Sequence, residues 1–202
     1  MDAEELLRRY AAGERDFTRV NFRRGAKLRG ANLRGIILVG ANLHSADLNG
    51  ADLERGNLSR AILDNANMGD ANLVEGILER TNLCEVDLIG ADLSRANLKE
   101  ASLIEAGLDG ANLSWADLSR ANLQSTGLAS AVLLKVNLSG ATLINTSFRR
   151  ADLSGADLNG ANLEGANLSG ANLRDASLND CLFCNTTMPD GMVRNDHCYD
   201  LY

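Results

Sequence analysis

Apolar residues recur along this chain with a period of five. From Leu28 to Leu178 a large apolar side chain occupies every fifth position, which makes 31 consecutive pentads without insertion or deletion, and Leu fills 29 of these centres with Met68 and Phe148 in the other two. Two positions before the centre the residue is Ala in most pentads, and the exceptions are small or β-branched, as at Gly56, Thr81, Val86 and Thr146. The position just before the centre is commonly Asn, Asp or Ser, and Gly recurs two positions after it, as at Gly30, Gly50, Gly90 and Gly155. Ala151 to Leu173, ADLSGADLNGANLEGANLSGANL, shows the pattern in its purest form. A repeat this short and this regular decides the fold before any other feature is weighed.

A period of five suits neither standard element. On an α-helix every fifth residue advances about 140°, so the Leu side chains would scatter round the axis. On a flat strand an odd period sends consecutive Leu residues to opposite faces. A coil that turns a corner every five residues points every centre inward. It also requires a small residue two positions earlier, and short polar side chains that hydrogen-bond the backbone at the bend. The pattern predicts a solenoid growing along one axis.

Ala-(Asn/Asp)-Leu-x-x over 31 in-frame copies resembles the pentapeptide repeat family, and the likeness covers most of the chain. The resemblance implies an all-β fold, a right-handed quadrilateral parallel β-helix with four pentads per 20-residue coil. About eight such coils would stack at about 4.8 Å each. It also implies a non-enzymatic interaction protein, and it makes an end-to-end homodimer through the C-terminal tail a contact to look for. Some members of the family are acidic rods that mimic duplex DNA in the DNA-binding saddle of DNA gyrase, which supplies an alternative reading. This chain lacks the projecting loops that some of those proteins carry.

The two ends depart from the repeat. Asp2 is placed to cap a helix from about Ala3 to Ala12, with Glu4 and Glu5 in its first turn and Gly13 as its stop. Leu6, Leu7, Tyr10 and Ala11 form its expected apolar stripe. Such a helix covers the open end of a solenoid, which otherwise exposes Leu and unpaired strand groups. Phe17 and Phe22 stand five apart but Phe22 and Leu28 stand six apart, which predicts a one-residue bulge at Gly25. The expected division is a capping helix over 1–14, a β-helix over 15–188 and a turn with a tail over 189–202, starting at Pro189-Asp190-Gly191.

Charge and composition narrow the function. The net charge is −7, although residues 1–34 are basic, with nine Lys and Arg against five Asp and Glu. The remainder is therefore near −11, which disfavours direct binding of nucleic acid or of a membrane surface and suits a basic protein partner. The first residues are charged and contain no apolar run, so neither a secretory signal nor a membrane span is expected, and the default location is cytoplasmic. Four cysteines in such a chain are expected as reduced thiols.

Candidate chemistry is sparse. Cys181 and Cys184, followed by His197 and Cys198, are donors that zinc accepts. The frame opposes a shared ion, since it aims Cys181 inward as a small core residue and Cys184 outward. Asp residues before the centre interchange with Asn, which marks turn chemistry rather than acid–base pairs. His44 follows a centre and is expected in solvent. No catalytic residue, metal or cofactor is expected. The better lead is apolar residues aimed outward. Trp115, Val132 and Leu134 form a candidate partner-binding patch if a coil is 20 residues long, Ile37 and Val39 a smaller one, and Ile104 and Ile144 lie two coils apart on another face.

Overall fold

The computed structural model describes residues 1–22, 25–196 and 198. Its backbone is a quadrilateral right-handed β-helix. Parallel bridges link each residue that precedes a centre to the residue 20 positions later, from Lys27↔Asp47 to Asn167↔Thr187, so four pentads complete one coil. We number the four faces by their first regular centres, Leu28, Leu33, Leu38 and Leu43. Every centre from Leu28 to Leu168 is buried, and the residues two positions earlier are buried with them, apart from Ala31, which is half-buried.

The five-residue unit closes because each of its N–H groups finds an acceptor. In the pentad Ala111–Trp115, Ala111 N–H donates across the corner to Leu108 O at 3.1 Å, and Asn112 N–H donates to Ala91 O of the preceding coil at 2.9 Å. Leu113 and Trp115 donate to Val132 O and Leu134 O of the following coil at 2.7 and 2.8 Å. The remaining donor, Ser114 N–H, bonds Oδ1 of Asn112 at 3.1 Å. Asn or Asp before the centre therefore supplies the acceptor that the backbone lacks. Where the side chain is missing, the preceding coil provides one. Ala129 N–H reaches Asp109 Oδ1 at 2.7 Å because Gly127 has nothing to offer. The inward Thr residues are satisfied too, since Thr81, Thr126, Thr146 and Thr186 each donate a hydroxyl to a core Leu carbonyl one coil earlier, at 2.6 to 2.8 Å.

Each corner from Leu28 to Leu173 is a β-turn closed by the bond from the small residue back to the centre's carbonyl. Its third residue has positive φ at every corner from Gly30 to Asn185, as a type II turn demands. Only eleven of those residues are Gly, so most corners place an ordinary side chain in the left-handed region at a cost.

The N-terminal helix α1 spans Ala3–Ala11, and Asp2 accepts a hydrogen bond from Glu5 N–H at 2.8 Å as its N-cap. Ala3, Leu6 and Tyr10 face the first coils, with Leu6 fully buried, whereas Leu7 and Ala11 are exposed. The expected four-residue stripe thus narrows to an i, i+3, i+7 line, because the lid touches the rod along one side only. Tyr10 pins the helix by donating its hydroxyl to Arg34 O at 2.8 Å. Asp16 and Asn21 bridge residues 21 positions ahead rather than 20, so one extra residue is absorbed between Phe22 and Ala26. Gly25 sits there at φ +37°, and a Cβ on it would fall 2.5 Å from Ser45 O.

At the other end β1, Thr186–Thr187, pairs antiparallel with β2, Val193–Arg194, round the turn at Pro189–Gly191. Cys184 and Cys198 form a disulfide with Cα atoms 4.8 Å apart, which overturns the expectation of four reduced thiols. The pairing arises because the hairpin folds the tail back beside the last coil, where Cys184 points outward. Arg194 lies over the Phe183 ring at 3.7 Å, and Asn195 Oδ1 accepts from Asn185 N–H at 2.7 Å. Among the described residues no helix is long and apolar enough to cross a membrane.

Candidate functional site

The outward residues of one corner line up along the rod. Between the second and third faces the third turn residues are Gly35, Arg55, Glu75, Arg95, Trp115, Lys135, Gly155 and Asp175, one per coil. Trp115 is 57% exposed at φ +64°, with the Lys135 ammonium 4.4 Å from the centre of its ring. Leu134, whose carbonyl accepts the Trp115 N–H, adds an exposed apolar wall. Ser154, Gly155 and Asp175 complete a shallow hollow of about 240 Å³. Gly155 keeps the hollow open, since a Cβ there would stand 3.1 Å from Lys135 Cγ.

The fold therefore puts Trp115 and Leu134 in one site, together with Lys135. Val132 is exposed but does not line the hollow. It precedes the centre Leu133 and sits in mid-face, bridged to Asn112 and Asp152. Ion pairs run along this corner and the next one. Arg55 meets Glu75 and Arg80 meets Glu100, each at 2.7 Å across one coil. The guanidinium hydrogen bonds hold both carboxyls below the usual Glu range.

The other candidates lack the parts of a working centre. His44 is not simply solvated. Its Nδ1 lies 2.7 Å from Asp64 Oδ2 and its Nε2 lies 3.1 Å from Ser45 Oγ, the connectivity of a hydrolase relay. Acyl transfer also needs free backbone donors for an oxyanion. Here Ser45 N–H is bonded to Asp64 O and Ala46 N–H to Leu43 O. Cys181 Sγ donates to Leu158 O at 3.0 Å inside the rod, and burial pushes its thiol up. Cys184 is bonded to Cys198 instead, and His197 lies outside the described residues. Among the described residues no three His, Cys, Asp or Glu side chains gather as a metal would need. Among the described residues a larger hollow of about 780 Å³ lies between α1 and the first coil, lined by Leu7, Phe22 and Lys27 among others.

This architecture, a four-sided coil of five-residue units, is that of a pentapeptide-repeat solenoid. Eight copies of the family model for pentapeptide repeats match between residues 16 and 188, and the chain belongs to that family, whose members are generally non-enzymatic structural or interaction proteins. The solved HetL of the cyanobacterium Nostoc sp. strain PCC 7120, a pentapeptide repeat protein involved in heterocyst differentiation regulation, is 36% identical over 96% of this chain and 100% of its own, with a TM-score of 0.45. Rfr23 of the cyanobacterium Cyanothece 51142 is 38% identical over 45% of this chain and 58% of its own, with a TM-score of 0.37. A trypsin-treated variant of QnrB1, a plasmid-mediated fluoroquinolone resistance protein, is 20% identical over 93% of this chain and 92% of its own. Its TM-score of 0.51 speaks to the fold alone. No curated protein matches the chain.

Trp115 carries a testable cost. A bulky residue at positive φ is strained by about 1–2 kcal/mol, and its contact with Lys135 returns about 0.5–1 kcal/mol. In urea denaturation Trp115→Gly should be more stable than Trp115→Ala by about 1 kcal/mol. Equal midpoints would show that the corner is not strained.

Proposed function

We propose that the chain is a non-enzymatic scaffold that binds a protein partner, with the Trp115–Leu134–Lys135 corner as an anchor. The observation that carries this reading is the corner itself. The only Trp of the chain stands exposed at a strained turn position beside an apolar wall, a cation and a hollow kept open by Gly155. Exposed aromatics next to a cation and an apolar pocket are the groups that dominate protein interfaces. A pull-down from the native host should recover a partner that Trp115→Ala and Leu134→Ala both lose. Unchanged recovery with both variants would remove the corner from the account.

The alternative, mimicry of DNA toward an enzyme such as DNA gyrase, draws support from the net charge of −7. The arrangement of that charge weakens it. Arg55, Arg80 and Lys135 interrupt the carboxylates on two faces, and Arg149 and Arg150 do so on a third, whereas duplex DNA is anionic on every side. Inhibition of gyrase supercoiling at micromolar concentrations of the protein would reinstate the mimic, and its absence is the expected result. The tail's end-to-end contact with a second copy belongs to this same set of proposals, and its last residues, 199–202, lie outside the described set.

We place the protein in the cytoplasm, and the Cys184–Cys198 bond weighs against that placement because disulfides persist in oxidising compartments. Alkylating intact cells before lysis decides the matter. A cytoplasmic protein would show Cys184 and Cys198 blocked as thiols, and an unmodified disulfide would move it to an oxidising compartment.

A further inference from the structure

Charge is divided across the rod. Between residues 41 and 130 the six Lys and Arg all stand on the two corners of the third face. Arg55 and Arg95 are on its corner with the second face, and Arg60, Arg80, Lys99 and Arg120 are on its corner with the fourth. The first face lies opposite. With its own two corners it holds seven of the fourteen Asp and Glu in the same range and no Lys or Arg. Asp64 meets His44, and among the described residues the other six of these carboxylates have no salt-bridge partner. On the third face Arg55 and Arg80 are held by Glu75 and Glu100, whereas Arg60, Arg95, Lys99 and Arg120 have no such partner among the described residues.

The two sides match coil by coil. At its corner with the fourth face the first face carries Asp64, Glu85 and Glu105, one on each of three successive coils. At its own corner with the fourth face the third face carries Arg60, Arg80 and Lys99 on those same coils. Each carboxylate follows its cation by four to six residues. That is about a quarter of a coil, or about 1.2 Å along the axis. A second rod set against the first, with axes parallel and no sliding, brings its third face onto this first face. The three carboxylates then meet the three cations. In mid-face Asp47 and Asp87 meet Asn57 and Asn97, and Asp117 meets Gly107, which has no side chain in its way. On the second-face side the exposed Ile89 meets Arg95, and Asp109 meets Trp115. Asp70 meets a like charge, Glu75, and Arg55 already holds that carboxylate. First face against first face, by contrast, opposes carboxylates to carboxylates.

We propose that the chain stacks side by side with copies of itself, the first face of one rod against the third face of the next, with axes parallel and coils in register. The two surfaces differ and lie on opposite sides of the rod, so the contact is heterologous and does not close. Each added rod presents a fresh first or third face to another. Surface ion pairs are individually weak, so stacking is expected at about 0.1–1 mM rather than at nanomolar concentrations. The contact is a property of the chain alone and is tested on purified protein, so it stands or falls separately from the partner-binding role of the Trp115 corner.

The test is sedimentation velocity of the full chain from about 10 µM to about 1 mM in about 0.1 M salt. The weight-average mass is expected to rise with concentration past that of a dimer. In about 1 M salt, where charges are screened beyond about 3 Å, it should return to that of the monomer. Glu85→Lys with Glu105→Lys, and separately Lys99→Glu with Arg120→Glu, should each weaken the association roughly tenfold or more. All four positions are outward turn residues, and circular dichroism checks that both variants remain folded. Mixed in equal amounts the two variants should associate again, because each supplies the face that the other lacks. A mixture that stays monomeric overturns the proposal. So does a monomeric mass at every concentration, an association that stops at the dimer, or one that both charge variants leave unchanged.

Discussion

The structure depends on satisfying the backbone within a unit of five. Two strand residues and the third turn residue pair with the coils on either side, and a turn bond closes the corner. That leaves one N–H per pentad without a backbone acceptor, and a short side-chain oxygen supplies it. An orphaned backbone donor costs on the order of 1–3 kcal/mol, and the defect would recur some thirty times along the rod. This constraint, more than the burial of Leu, explains why Asn and Asp dominate the position before the centre. It also explains why Asp109 and Asn159 reach into the next coil, where Gly127 has no side chain and Ser177 turns its hydroxyl to Asn159.

Once the backbone is settled, the sequence is free in two places per pentad, the two turn residues that face water. All the individuality of the molecule is written there and in the few replacements just before the centre. The corner with Trp115 and Lys135 and the Arg–Glu pairs one coil apart are products of one rule. Residues 20 apart in sequence become neighbours along the axis. Interaction surfaces on such a rod are therefore columns, with an interval set by the coil spacing. A partner that reads them must match that interval.

Most of the coil was legible in the sequence because the frame is unbroken and each position has a single steric answer. What was less legible lies where the frame ends. The exposure of Leu7 follows from how far α1 tilts onto the first coils, which a helical stripe does not specify. The Cys184–Cys198 pairing depends on a hairpin that turns the tail back, and spacing alone contains no such fold-back. Trp115 and Leu134 line one hollow because both follow a centre and so share a corner. Val132 flanks the centre Leu133 on its other side, and its place before the centre sends it to mid-face. Lys135 carried no apolar signal, but its position 20 residues beyond Trp115 was enough to place it over the ring.

The central claim, that 20 residues advance the chain by one strand spacing, is open to a direct distance measurement. Spin labels at Ser59→Cys and Asn179→Cys, with Cys84 replaced by Ser, sit on the third face six coils apart. Pulsed electron resonance should return a narrow distribution centred about 29 Å, within the reach of the label linkers. A broad distribution, or a separation well beyond about 40 Å, would mean that the chain does not wind in stacked coils.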